Sequence, residues 1–145
     1  MFNKNFYERL KIWRDLRHCI EYGDNPISLV LEFWNKVPIE RLTVDPYDKD
    51  TWPHPWEMIY NNQYCEFTKI LAIFYTLQLT DRFSECQFEI HICTDRENSE
   101  VKYLLYINDK VIGYYHDDII FATLLPESLR IEANYEMNGD SANFY

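Results

Sequence analysis

The sequence predicts an α+β protein, with helices first and an antiparallel sheet after them. Apolar residues keep helical spacing through the first half of the chain. After Thr80 the period changes, and Phe88, Ile90 and Ile92 alternate with Glu89, His91 and Cys93, as in a half-buried strand. Between these regimes Phe67, Ile70, Leu71, Phe74 and Leu77 recur at i, i+3, i+4, i+7. Ala72, Ile73 and Leu79 fill much of the remaining surface. A helix apolar nearly all round is a central, buried one. Cys65 heads it, and Cys65, Lys69 and Thr76 leave only a narrow polar strip.

The elements follow in order. Phe6, Leu10, Trp13, Leu16 and Ile20 form a helical stripe over residues 4–22, and Gly23 is its stop. Asn25-Pro26 is read as an N-cap with proline at the first helical position. The second helix carries Leu29, Val30, Phe33 and Trp34 and ends before Pro38, so residues 1–37 make a helical pair. Residues 38–63 hold a stiff loop with Pro46, Pro53 and Pro55, then a short helix over Pro55 to Asn61. Residues 64–137 supply the central helix, about Tyr64 to Leu79, and the sheet. DRENSE is a polar turn between the first strand and Val101–Ile107, and Asn108-Asp109 a tight turn before a third strand, Val111–Tyr115. Asp117 to Leu125 reads equally as helix or strand. Leu129, Ile131, Ala133 and Tyr135 alternate as a last strand, and residues 138–145 are a loose tail.

Composition narrows the function. At 145 residues the chain is expected to be one domain. Apolar content of 47% excludes general disorder, and only three glycines argue against a glycine-rich phosphate loop. The net charge of −10 repels phosphate backbones. Residues 1–20 run against that balance, with five basic and two acidic residues; the simplest expectation is that this basic helix docks on the acidic body. No apolar run is long enough to cross a bilayer. A soluble, cytoplasmic protein with four free thiols, Cys19, Cys65, Cys86 and Cys93, is the reading.

Cys65 is the first candidate site residue. A thiol at a helix N-terminus meets unpaired N–H groups and the positive end of the dipole, which favour the thiolate. His91, on the polar side of the first strand, is the candidate base. The bland alternative is a buried small cysteine and a surface histidine. Trp52 and Trp56 are candidate binding residues, forming a ledge for a ligand or peptide with Tyr47. Burial of both indoles as clamps on the proline loop is the stronger expectation. No metal or other cofactor is expected. Glu89, His91 and Cys93 share a strand face but stand roughly 6.5–7 Å apart in succession, too far to converge on one zinc. DPYDKD lacks the glycine and terminal glutamate of a calcium loop.

The segment WPHPWEMIYNNQYCEF resembles the nucleophile region of bacterial transglutaminase-like cysteine proteinases. Trp52, Pro55, Glu57, Ile59, Cys65 and Glu66 match in order, and the resemblance covers about residues 52–79. It implies a transglutaminase- or papain-like core, with the helix headed by Cys65 packed on an antiparallel sheet and a Cys-His-Asp triad. The departures are specific. Gln63-Tyr64 replaces the family's Gly-Asp. Glu100, Val101 and Lys102 occupy the place of its histidine, so His91 comes one strand early and His116 late. Asp109 reads as a turn residue and Asp117 as a cap. The whole chain is also similar to uncharacterised small proteins of myoviruses of marine cyanobacteria, through DPYD, TWP, PWE, CEF and YTLQLTDRF. That resemblance implies a phage protein in the cytoplasm of an infected bacterium. The leading expectation is a non-enzymatic protein that binds a host or phage protein partner, with no nucleic acid and no membrane. The alternative is a cysteine hydrolase or acyl transferase using Cys65, with His91 or His116 as base.

The charge makes one expectation directly testable. The protein leaves DNA and RNA unshifted in a low-salt gel at micromolar concentration; a shift that fades steeply with added salt contradicts this.

Overall fold

The computed structural model describes residues 1–137; the tail expected over 138–145 lies outside the described residues. The chain forms two compact units, divided after Glu85, and each is described by itself.

The first unit is helical. Helix α1 (Phe6–Tyr22) starts at Asn5, whose side chain accepts from the Glu8 N–H. Its stop at Gly23 follows from space. Gly23 has an ordinary extended backbone, but a Cβ there would lie 2.6 Å from the Cys19 carbonyl oxygen, the acceptor of its own N–H. Helix α2 (Pro26–Trp34) has proline in its first turn, as read from the sequence. Helix α3 (Pro55–Asn61) follows the proline loop, and Asn62 closes it with a left-handed φ of 52°. Helix α4 (Glu66–Gln78) is buried at eight consecutive positions, from Ile70 to Leu77.

Helix α4 is the hub of this unit, and its polar strip is inside rather than at the surface. Thr76 is fully buried. Its hydroxyl donates to the Ala72 carbonyl (2.7 Å) and accepts the indole N–H groups of Trp13 on α1 (2.9 Å) and Trp34 on α2 (3.0 Å). A hydroxyl offers one donor and two acceptor sites, so all three are filled. The docking of α1 departs from the electrostatic expectation. Its buried cation, Arg9, donates to the backbone carbonyls of Lys4, Ile59 and Tyr60. Carbonyls serve here because helix α3 ends against α1 and leaves its last C=O groups open.

The proline loop is clamped by one tryptophan. Trp52 is buried with its ring 4.9 Å from that of Phe67, and its Nε1 donates to the Asp45 carbonyl. The Tyr75 hydroxyl donates to the Pro53 carbonyl (2.7 Å). Trp56 corrects the expectation of burial: it is 51% exposed. It lies in the first turn of α3 and meets Trp13 edge-on with its outward side in solvent.

The second unit is a five-stranded antiparallel sheet. The strands are β1 (Phe88–Asp95), β2 (Glu100–Ile107), β3 (Lys110–Ile112), β4 (Ile119–Phe121) and β5 (Leu129–Glu136), in spatial order β4-β3-β2-β1-β5. The first three form the expected meander, and β4 extends it by pairing with β3. The third strand is shorter than read, and the ambiguous segment becomes β4 and a 3₁₀ turn, Ala122–Leu124. β5 returns to pair with β1, whose ladder shifts register between Ile92 and Cys93. Ser99 and Asn108 take left-handed φ values of 57° and 54° in the two turns.

While β4 and β5 are half-buried or exposed, the centre of the sheet, on β1, β2 and β3, is buried on both faces. One carries Phe88, Ile90, Ile92, Leu105, Ile107 and Ile112. The other, read as the polar side of β1, is also apolar: Cys93, Leu104 and Val111 are buried there beneath Tyr106, Tyr114, Leu125 and Leu129. The segment after β3 folds back over this face, which alternation within β1 alone could not reveal.

The Thr76 hub predicts a specific stability cost. Thr76→Val leaves two buried indole N–H groups unpaired, at about 1–3 kcal/mol each. Urea unfolding should show that loss for Thr76→Val and a much smaller one for Thr76→Ser.

Candidate functional site

Cys65 occupies the N-cap of α4, one position before the first helical residue, and is only 2% exposed. Its backbone is extended, which leaves the first N–H groups of the helix open. Thr68 closes the cap. Its hydroxyl accepts the Cys65 N–H (2.6 Å) and lies 3.1 Å from the Cys65 carbonyl and 3.4 Å from Sγ. The sulfur takes the place of the usual cap oxygen, receiving the Thr68 backbone N–H. From the other side the Thr43 hydroxyl donates to Sγ (3.7 Å). The loop carrying Thr43 is tied to the helix start by the Glu40 N–H on the Tyr64 carbonyl (2.7 Å).

These bonds decide the acidity of the thiol. Burial alone pushes its pKa up. Hydrogen bonds from the side chains and backbones of Thr68 and Thr43 outweigh that, and the thiol lies below its ordinary value. Cys93 shows the opposite outcome in the second unit. Burial and the nearby Glu132 carboxylate push it up to about 11. The other cysteines differ again: Cys19 is exposed and Cys86 partly so.

A cavity of about 240 Å³ adjoins the Cys65 threonines. Thr43 and Thr68 line it together with Thr51, Pro53, Glu57 and Gln63. The proline loop forms one wall and helix α3 another, so the stiff segment singled out in the sequence shapes this space. Glu57 is itself engaged, accepting the His54 N–H (3.1 Å).

His91 lies in the second unit and is buried, where a solvent-facing position was the bland expectation. It is on the face opposite Ile90 and Ile92, stacked on Tyr106 with ring centroids 4.0 Å apart. Nε2 is 3.2 Å from a Glu89 carboxylate oxygen, and Nδ1 has no hydrogen-bond partner among the described residues. Of the two candidate binding tryptophans, Trp52 is sequestered in the clamp and Trp56 stays accessible. Thr43 and Thr68 are the residues that sequence reasoning missed. Thr68 was legible as the third residue of a capping box after Cys65. Thr43 was not, since only the fold brings it to the sulfur.

No protein-family model matches the sequence, and no curated protein matches it either. Solved structures do. The calcium-bound form of Legionella pneumophila LapG aligns with a TM-score of 0.70 at 16% identity, over 93% of this chain and 78% of that one. A second LapG structure gives 0.64 at 17% identity, over 90% and 77% of the two chains. The EGTA-treated form gives 0.64 at 17%, over 94% and 80%. The fold is transglutaminase-like. That agrees in fold with the resemblance seen around Cys65. Among the described residues no group of three or more His, Cys, Asp or Glu side chains is arranged to hold a metal ion.

The cap geometry predicts a titration. Iodoacetamide labelling read by mass at each cysteine should give Cys65 a midpoint below the ordinary thiol value and Cys93 one near 11. Thr68→Val should move the Cys65 midpoint upward. The sign for stability follows. A thiol whose folded pKa is lowered adds stability above its unfolded pKa, and that share is lost as pH falls through the folded value.

Proposed function

We propose that the protein is a cysteine hydrolase or acyl transferase of transglutaminase-like type, with Cys65 as nucleophile. The observation that carries this reading is the thiol at the α4 N-cap, held below its ordinary pKa by Thr68 and Thr43 in spite of burial. A structural cysteine has no need of such donors. The likeness in fold to LapG supports the same reading.

The chemistry runs as acyl transfer. The Cys65 thiolate attacks the carbonyl carbon of an amide, forming the C–S bond. The N–H groups opening α4 stabilise the oxyanion. Collapse expels the amine, which takes a proton from the base, and leaves a thioester. Water, or a second amine, then attacks the thioester and restores the thiol. His91 is the proposed base, on the chemistry of its side chain: a carboxylate on Nε2 fixes the tautomer and leaves the Nδ1 lone pair to accept a proton. The cavity beside Thr43 and Thr68 is the proposed seat of the acyl side chain.

A second reading is a non-enzymatic protein that binds a protein partner, as in a phage protein working in the cytoplasm of an infected bacterium. The burial of the Cys65 thiol favours it, and its phage origin rests on the sequence resemblance alone.

The test is hydrolysis of a fluorogenic peptide-amide library, with acyl-enzyme trapping followed by mass. Turnover lost in Cys65→Ser, and reduced about 10²–10⁴-fold in His91→Gln, is the expected result. No thioester and no turnover above Cys65→Ser gives the protein to the partner-binding reading. Full activity in His91→Gln removes His91 as base and leaves Cys65 standing.

A further inference from the structure

The first unit carries a second concavity, away from Cys65. It is a groove of about 300 Å³ between α1 and α3, lined by Phe6, Tyr7, Leu10, Trp13 and Trp56, with Lys11, Arg14 and Arg17 along one side. Its floor is aromatic: Trp13 and Trp56 meet edge-on at 5.4 Å, and Arg17 lies over the Trp13 ring at 4.6 Å. Its rim is open to solvent, with Tyr7 79% and Trp56 51% exposed. No acidic residue lines it. Lys11 and Arg14 are exposed and make no ion pair among the described residues.

We propose that this groove is a docking site for an acidic peptide segment with aromatic or aliphatic anchors, supplied by a protein partner. Charge complementarity selects the occupant. Three cations stand on one helix at every third residue, about 4.5 Å apart along the axis, in a chain whose net charge is −10. A cationic row over exposed aromatics on an otherwise acidic molecule is expensive in like-charge terms only for a basic partner, and it favours carboxylates. Trp56 is the anchor pocket's outer wall: a half-exposed indole beside an arginine is the residue type that dominates binding energy at interfaces. A phosphate polymer would meet the same cations, but the overall charge opposes it. The exposure of Trp56, unexplained by the clamp built around Trp52, then has a use.

The experiment is fluorescence anisotropy of the full chain with a fluorescein-labelled nonapeptide that alternates Glu with Leu and Phe. Its Lys-for-Glu counterpart and a fluorescein-labelled oligo-dT serve as controls. The acidic peptide should bind and weaken with added salt, while both controls stay unbound. Lys11→Glu/Arg14→Glu should weaken binding at least about tenfold, as expected for a charge-steered contact, without moving the thermal midpoint, since both side chains are exposed. Trp56→Ala should weaken it similarly. Cys65→Ser should bind unchanged, because the groove is separate from the thiol. Equal binding of the acidic and lysine peptides, retention in the charge-reversed variant, no binding of the acidic peptide, or preference for oligo-dT each overturns the proposal.

Discussion

Three hydrogen bonds meeting on the Thr76 hydroxyl organise the helical unit. Two indoles from different helices reach the same oxygen, and that oxygen donates in turn to its own helix. Indole N–H groups buried without partners are costly, so α1 and α2 cannot slide along α4 without losing both. The apolar surface of α4 supplies the drive for burial, but it is non-directional. The threonine supplies register. With α1 and α2 set, Arg9 reaches the carbonyls that end α3, and the loop before α3 is set by Trp52 on Phe67 and Tyr75 on Pro53.

That arrangement has a chemical consequence at the opposite end of α4. The loop anchored by Glu40 on Tyr64 brings Thr43 to the Cys65 sulfur, and the helix start brings Thr68. Burial and hydrogen bonding oppose each other there, and hydrogen bonding wins. At Cys93 no comparable donors offset burial, and a carboxylate adds to it. Two buried thiols in one chain thus differ in acidity because of their donors, not their exposure. The same contrast separates Trp52 from Trp56: each stands beside a proline, yet one is locked over Phe67 and the other faces the basic groove of α1.

The sequence by itself determined the secondary structure through its periodicities. The helical stripe of α1, the all-round apolar surface of α4 and the alternation in β1 each report a local repeat, and each produced its element within a few residues. It also placed Cys65 at the head of α4, since a cysteine followed by Glu and a buried helical run has few other places to be. Strand pairing was legible where turns were short. The return of β5 to β1 was not, because it depends on a long connection and on which sheet edge stays open. Tertiary structure alone decided the rest. Whether Trp56 is buried depends on how α3 meets α1. Whether the His91 face is polar depends on the segment after β3 folding over it. Whether the Cys65 thiol is acidified depends on Thr43, more than twenty residues upstream, arriving within hydrogen-bond range of the sulfur. A periodic pattern records which side of an element avoids water. It carries no record of which distant side chain fills the space beyond, and that is where the acidity of a thiol or the exposure of an indole is settled.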